Sequence, residues 1–143
     1  MILPDVNVLV YAHREDTRDH RAYRDWLEST VNADGAFGLS DLVLGGFVRI
    51  VTHPRIFAAP SSLANAMQFA EDLRTRPNRV PVSPGRDHWR IFRRLCDEAG
   101  AKGNLVPDAW LAAMAIEHGC EWITTDGDFA RFPGLRWRHP LKS

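Results

Sequence analysis

Three aspartates stand where an α/β fold places functional side chains. Asp5 directly follows the short apolar segment 2–3, and Asp126 directly follows the apolar segment 120–125. Open α/β sheets bind ligands at the carboxyl ends of their parallel strands, so these two acids are expected to meet if their strands are neighbours. Asp108 falls in the first turn of the predicted helix that leads into the second of these strands.

Carboxylates that converge in this way repel one another unless a cation lies between them. Hard oxygen ligands favour Mg²⁺, or Mn²⁺ in its place, over Zn²⁺. A carboxylate-held ion can activate water and stabilise the leaving oxygen when a phosphodiester is cleaved, and two-metal sites hold their ions about 3.5–4 Å apart. The sequence therefore predicts a Mg²⁺-dependent phosphodiesterase site and leaves the number of ions open.

Each of the three acids also has a purely structural explanation. Asp5 can cap the N-terminus of a helix, Asp108 can complement a helix dipole, and Asp126 can begin the turn 126–128. The twofold period of the strand 120–125 puts Thr124 on the same side as Asp126, which offers a hydroxyl beside the predicted metal.

The elements that must position these acids follow from the apolar periodicity. Helices are expected over residues 19–31, 42–51, 61–74, 85–99 and 105–119, and strands over 2–3, 36–39, 79–82, 120–125 and 135–137. Residues 6–12 fit a continued strand or a helix equally well. Asp19 and Ser40 are the expected N-caps of the first two helices in this series. Strands separated by helices predict an α/β fold with a mostly parallel sheet.

The bulk composition is that of an ordinary globular domain. The chain has 143 residues, 45% hydrophobic and 25% charged, which predicts a single domain over residues 1–143. Its two cysteines, Cys96 and Cys120, lack metal-ligand spacing and indicate reduced thiols. The sequence contains neither a basic leader nor an apolar run of membrane-spanning length, so a cytoplasmic location without a membrane is expected.

The formal net charge is zero, but the basic residues are concentrated in one region. Between residues 74 and 102 there are eight basic and three acidic residues. The predicted helix 85–99 carries Arg86, Arg90, Arg93 and Arg94 opposite its apolar residues, where they could contact RNA phosphates or simply form a solvated helix face. The five tryptophans are spread over separate elements, which indicates core or interface packing rather than a platform for base stacking.

Three segments together resemble the PIN-domain ribonucleases, and within them the VapC-type toxins of bacterial toxin–antitoxin modules. They are DVNVLV at residues 5–10, PDAWLAAMA at 107–115 and TTDGDF at 124–129. The resemblance implies a three-layer α/β/α PIN fold with four to five strands in the order 3-2-1-4-5. It also implies an Mg²⁺- or Mn²⁺-dependent endoribonuclease that cleaves structured tRNA or rRNA, forms a homodimer and is inhibited by a VapB-like antitoxin.

The resemblance assigns roles to particular residues. Asp5, Asp108 and Asp126 match the metal ligands of the family, and Asp128 matches a more variable acidic position. Asn7, together with Thr124, is expected to support these ligands without binding the metal.

One position departs from the family pattern. By spacing from Ser40, the glutamate that these nucleases usually carry in the following helix is replaced by Gly46. Asp41 cannot substitute, because five residues correspond to about 140° around a helix. Each glycine of the Gly45-Gly46 pair costs a helix roughly 1 kcal/mol relative to alanine, which indicates close packing or ligand approach.

Two alternatives to the ribonuclease hypothesis remain open. The missing glutamate favours a catalytically weak or inactive PIN-like module that binds RNA or an antitoxin. A receiver- or phosphatase-like domain would use Asp5 as a phosphate acceptor, but Val6 and Asn7 supply no paired acid and no lysine is suitably placed.

Overall fold

Short strands alternate with longer helices along the chain, as the periodicity predicts. The computed structural model describes residues 1–142. The helices are α1 (Val6–His13), α2 (His20–Asn32), α3 (Asp41–Val51), α4 (Leu63–Arg74), α5 (His88–Ala99) and α6 (Leu105–Glu117). The strands are β1 (Ile2–Pro4), β2 (Phe37–Leu39), β3 (Arg79–Pro81), β4 (Glu121–Ile123) and β5 (Trp137–Arg138), and a 3₁₀ helix covers Gly127–Arg131.

All strand pairs are parallel. β4 lies between β1 and β5, and β2 pairs with β3 in a second, smaller sheet. β2 lies beside β1, where a Cβ atom at Gly38 would be only 3.1 Å from the Ile2 carbonyl oxygen. The predicted order 3-2-1-4-5 is therefore present in space, but the predicted single sheet is divided in its hydrogen bonding between β2 and β1.

The helices pack in two groups around the strands. α1 contacts α2 and α3, α3 contacts α4, and α5 and α6 form an antiparallel hairpin. The core between them contains Leu3, Leu9, Phe47, Met114 and Trp122, all fully buried. Because β1 and β4 are central, the acids that follow these two strands lie at one edge of the sheet.

The ambiguous segment after β1 is a helix. Its residues Val8, Leu9, Val10 and Ala12 are buried on several sides of α1, which is why the sequence shows no amphipathic period there. Ser40 caps α3 as predicted, because its hydroxyl accepts a hydrogen bond from the Leu42 amide.

Asp19 occupies the predicted cap position of α2, but the prediction that its side chain caps the helix is wrong. Asp19 does precede α2, but its backbone is left-handed (φ 59°) and its side chain makes no capping hydrogen bond. The left-handed conformation takes its side chain away from the first-turn amides. Both cysteines are unpaired thiols, and no helix between residues 1 and 142 is long and apolar enough to cross a membrane.

Candidate active site

Asp5 is fixed at the end of the central strand by its backbone and by both of its carboxylate oxygens. Its amide donates to the Ile123 carbonyl at 2.8 Å, which continues the β1–β4 pairing. Its Oδ1 accepts from the Val6 amide at 2.6 Å, so Asp5 caps α1, and its side chain is almost entirely buried. The predicted structural role of Asp5 is therefore confirmed, and its carboxylate points along the edge of the sheet at the start of that helix.

Thr124 joins two of the predicted site residues. Since Pro4 is in register with Ile123, the next residues, Asp5 and Thr124, are also adjacent. The Thr124 hydroxyl donates to Asp5 Oδ2 at 2.7 Å and accepts from the Asp126 amide at 3.1 Å. Thr124 has no exposed surface, so this bridge is protected from water.

Asp126 also has a local structural role. Its Oδ1 accepts from the Asp128 amide at 2.9 Å and caps the 3₁₀ helix that begins at Gly127. Asp126 is half-buried and Asp128 is exposed at the mouth of the site. The turn that the sequence predicts at residues 126–128 is thus confirmed.

Asp108 completes the group from the first turn of α6. Burial and, after it, the negative charges of Asp126, Asp5 and Asp128 together raise its pKa to about 6. Burial also raises the pKa of Asp5, against the lowering effect of its hydrogen bonds from Thr124 and Val6. The structure therefore brings the four acids into one electrostatic environment.

The donor set suits a hard cation. No lysine, arginine or histidine within residues 1–142 forms an ion pair with any of these four acids. In the same part of the chain, no three His, Cys, Asp or Glu side chains are grouped closely enough to form a ready metal cage. Mg²⁺ usually keeps several waters and takes one or two carboxylates directly, so an open acidic edge of this kind fits it.

Two other predicted positions lie at the margin of the group. Asn7 is exposed, and its side chain hydrogen-bonds to none of the acids in the described chain. Gly46 lies beside Val6, the residue next to Asp5, and a Cβ atom there would be 3.0 Å from Val6 Cγ2. Asp41 faces elsewhere, as predicted, and pairs with Arg74 at 3.0 Å.

Of the four arginines predicted to share one helix, Arg86 lies outside it, because α5 begins at His88, and all but one are exposed. Arg86, Arg90 and Arg93 are exposed, whereas half-buried Arg94 pairs with Glu98 at 3.0 Å. The sequence predicts core or interface packing for the tryptophans, and Trp89, which is 63% exposed, does not belong to the core. The available signal was its place on the helix, between the apolar face and the basic face.

Comparisons with known proteins agree with this architecture. A family model described as "PIN domain" matches residues 2–135. VapC ribonuclease Mb2897 of Mycobacterium bovis is 48% identical over 141 residues, which cover 99% of this chain and 96% of that protein.

Solved structures show the same fold at low sequence identity. VapBC2 from Rickettsia felis, bound to a DNA fragment from its promoter, has a TM-score of 0.70 at 19% identity, over 97% of this chain and 98% of that one. Mycobacterium tuberculosis VapC20, described as a sarcin-ricin loop cleaving toxin, has a TM-score of 0.66 at 17% identity, over 95% and 99% of the two chains.

Proposed function

The chain belongs to the PIN domain family, and on that premise we propose that it is the ribonuclease toxin of a toxin–antitoxin pair. We propose further that it is an endoribonuclease that requires Mg²⁺, for which Mn²⁺ can substitute, and that it cleaves structured tRNA or rRNA. The observation that carries this proposal is that Asp5 and Asp126 lie close enough to Asp108 for their negative charges to raise its pKa. None of the three acids has a basic ion-pair partner in the described chain.

In this proposal Asp5, Asp108 and Asp126 would hold the ion, with Asp128 as a further acidic position beside them. When bound, the ion supplies an activated water and stabilises negative charge on the leaving oxygen. Thr124 positions Asp5, since its hydrogen bond holds one carboxylate oxygen while the amide of Val6 holds the other. Burial of Asp5 and Thr124 limits the movement of these groups, which keeps the ligands pre-arranged.

The decisive experiment incubates the purified chain with tRNA and rRNA in the presence of Mg²⁺, Mn²⁺ or a chelator. Asp5→Asn, Asp108→Asn and Asp126→Asn are each expected to abolish cleavage while the protein stays folded, because they remove charge and keep shape. Asp41→Asn is the matched control, since Asp41 pairs with Arg74 away from the acids. Near-normal activity in any of the first three variants would remove that residue from the proposed metal site.

A VapB-like antitoxin is the proposed partner, and the acidic edge is a suitable landing place for one of its arginines. A guanidinium binds carboxylates bidentately, and an exposed pair of this kind is weakened by salt. Inhibition that persists after every arginine of a co-expressed antitoxin is replaced would show that the antitoxin acts elsewhere.

As a second candidate, the chain is a PIN-like module that binds RNA or an antitoxin and does not cleave RNA. Gly46 favours it, because the acid that the family resemblance leads us to expect is missing beside Val6. The same cleavage assay separates the two candidates, since this module would bind RNA yet leave it intact in Mg²⁺.

A further inference from the structure

Trp89 is the most exposed large apolar side chain in the part of the chain that the structure describes. It is 63% exposed on α5, whereas Trp122 is fully buried in the core. An indole left in water is a feature of surfaces that bind a partner, because aromatic rings gain most from being covered. Trp89 therefore requires an explanation that core packing does not give.

The exposed ring rests on a support of other aromatic rings. The Trp89 ring centroid lies 5.4 Å from that of Phe92 and 6.4 Å from that of Trp110. Phe92 and Trp110 are themselves in edge contact at 5.1 Å, and His88 hydrogen-bonds the Trp110 carbonyl through Nε2. These ring contacts restrict the rotamers of the Trp89 side chain in the free protein. A ligand that binds to the exposed face of the indole therefore costs little side-chain entropy.

Exposed arginines lie close to Trp89 along the chain. Arg86, Arg90 and Arg93 are exposed, and none of them forms an ion pair within residues 1–142. Arg93 follows Trp89 by four residues on α5 and therefore lies beside it on the helix surface, while Arg86 lies in the segment just before the helix begins at His88.

The helix that carries Trp89 packs against the helix that carries Asp108. α5 contacts α6, and the Trp89 ring centroid lies 6.4 Å from that of Trp110 on α6. Asp108 lies two residues before Trp110 on the same helix, so nucleotides bound at Trp89 would lie next to the element that supplies this acid.

We propose that Trp89, flanked by Arg86, Arg90 and Arg93, binds a single-stranded segment of the RNA substrate by stacking one base on the indole and pairing its phosphates with the arginines. This inference rests on the proposed ribonuclease function. An exposed aromatic ring between guanidinium groups is the combination that binds unpaired nucleotides without sequence preference. A second copy of this surface is a poorer occupant, because it would bring the arginines of two helices together.

The test measures RNA binding without cleavage. A fluorescein-labelled single strand of about 12 nucleotides and a blunt duplex of the same length are titrated with the protein in chelator, and anisotropy is followed. The wild-type chain binds the single strand more tightly than the duplex. Trp89→Ala weakens single-strand binding about tenfold, whereas Trp89→Phe weakens it by less than about threefold.

Trp89→Leu separates stacking from simple apolar contact, because leucine keeps the bulk and loses the π-face, and it behaves like Trp89→Ala. Arg90→Gln and Arg93→Gln each reduce the slope of log affinity against log salt by about 0.7. Leu63→Ala is the control, since Leu63 is 60% exposed on a distant helix, and it binds RNA as the wild type does.

Three results would overturn the proposal: binding by Trp89→Ala within about twofold of wild type, equal binding by Trp89→Leu and Trp89→Phe, or no single-strand binding by the wild type. Sedimentation that shows a wild-type dimer and a Trp89→Ala monomer would assign the surface to a second copy instead. Parallel cleavage assays in Mg²⁺ keep the two proposals apart. If Trp89→Ala cleaves RNA as well as the wild type does, the proposed RNA-binding role of Trp89 is wrong and the ribonuclease proposal stands. If RNA binding depends on Trp89 but the wild type cleaves nothing, the ribonuclease proposal is wrong and the binding role stands.

Discussion

The adjacent glycines of α3 provide a matched pair of substitutions next to the acidic edge. A Cβ atom at Gly45 would meet nothing within 4 Å, whereas one at Gly46 would lie 3.0 Å from Val6 Cγ2 and 3.8 Å from Val6 Cγ1. Val6 begins α1 directly after Asp5, and its branched side chain is stiff at χ1. A methyl group at residue 46 therefore presses on the neighbour of Asp5, and one at residue 45 enters solvent.

The expected sizes follow from these distances. Alanine stabilises a helix interior by about 0.5–1 kcal/mol relative to glycine, which raises the melting temperature of Gly45→Ala by roughly 2–4 °C. Gly46→Ala gains the same propensity but compresses a contact whose optimum is about 3.5–4.0 Å, and overpacking costs about 1–3 kcal/mol. Gly46→Ala is therefore expected to be less stable than Gly45→Ala by at least about 1 kcal/mol.

Thermal unfolding of both variants measures this difference, and Val6→Ala identifies its cause. In the Val6→Ala background the methyl groups that oppose residue 46 are absent, so Gly46→Ala should recover most of the stabilisation of Gly45→Ala. Equal stabilisation by the two alanines in the wild-type background would show that α3 and α1 do not press together at this point.

The same pair of positions tests the link between Gly46 and the metal. If residue 46 faces the proposed ion, Gly46→Glu adds a hard oxygen ligand and tightens Mn²⁺ binding in calorimetric titration. Gly45→Glu adds the same charge on the exposed side and should leave Mn²⁺ affinity nearly unchanged. Unaltered affinity in a stably folded Gly46→Glu protein would mean that the position does not face the metal, and the family alignment of this helix would have to be abandoned.

Three further predictions concern charge and hydrogen bonding. Without divalent metal, Asp108→Asn should raise the free energy of unfolding at neutral pH by on the order of 1 kcal/mol after solvent screening, because burial and the neighbouring acids resist ionisation of this carboxyl. The melting temperature should rise with it, and a lower melting temperature would contradict the prediction. Thr124→Val should lower the free energy of unfolding by about 1–3 kcal/mol and reduce cleavage, because the Asp126 amide and Asp5 Oδ2 lose the hydroxyl that both of them bond. Thr124→Ser keeps a hydroxyl and should restore most of the stability and most of the cleavage. For Glu117, burial raises the pKa, but hydrogen bonds from the Gly85 and Asp87 amides outweigh it, so the folded pKa lies below the ordinary value of 4.5. Glu117→Gln should therefore lose its full amount of stability above pH 4.5, and the difference from the wild type should shrink as the pH falls through the folded pKa. If paired melting curves show the same loss at every pH, the charge of Glu117 is not its source.

Much of the candidate site could be predicted because topology, rather than side-chain detail, brings its residues together. Asp5 and Asp126 follow parallel strands, and the pairing of β1 with β4 makes them neighbours as the strand-end rule requires. The helical state of residues 6–12 could not be predicted, because apolar residues surround α1 on several sides and remove the periodic signal. The exposure of Trp89 was harder to predict, since the same residue type fills a core or a binding surface, and only its place between the apolar and basic faces of α5 indicated it.

The sequence presents structural and functional roles for the acids as alternatives, but the structure shows that one carboxylate can serve both. Asp5 and Asp126 each cap a helix through Oδ1, and a carboxylate has about four lone-pair sites, so the capping bonds aim the group and leave acceptor capacity for a cation. Asp108 is different. An acid whose role is to complement the dipole of α6 would have a lowered pKa, whereas burial and the nearby acids raise the pKa of Asp108 to about 6. No side chain or amide within residues 1–142 hydrogen-bonds its carboxylate, so helix stability does not account for an acid at this position, whereas the proposed cation would.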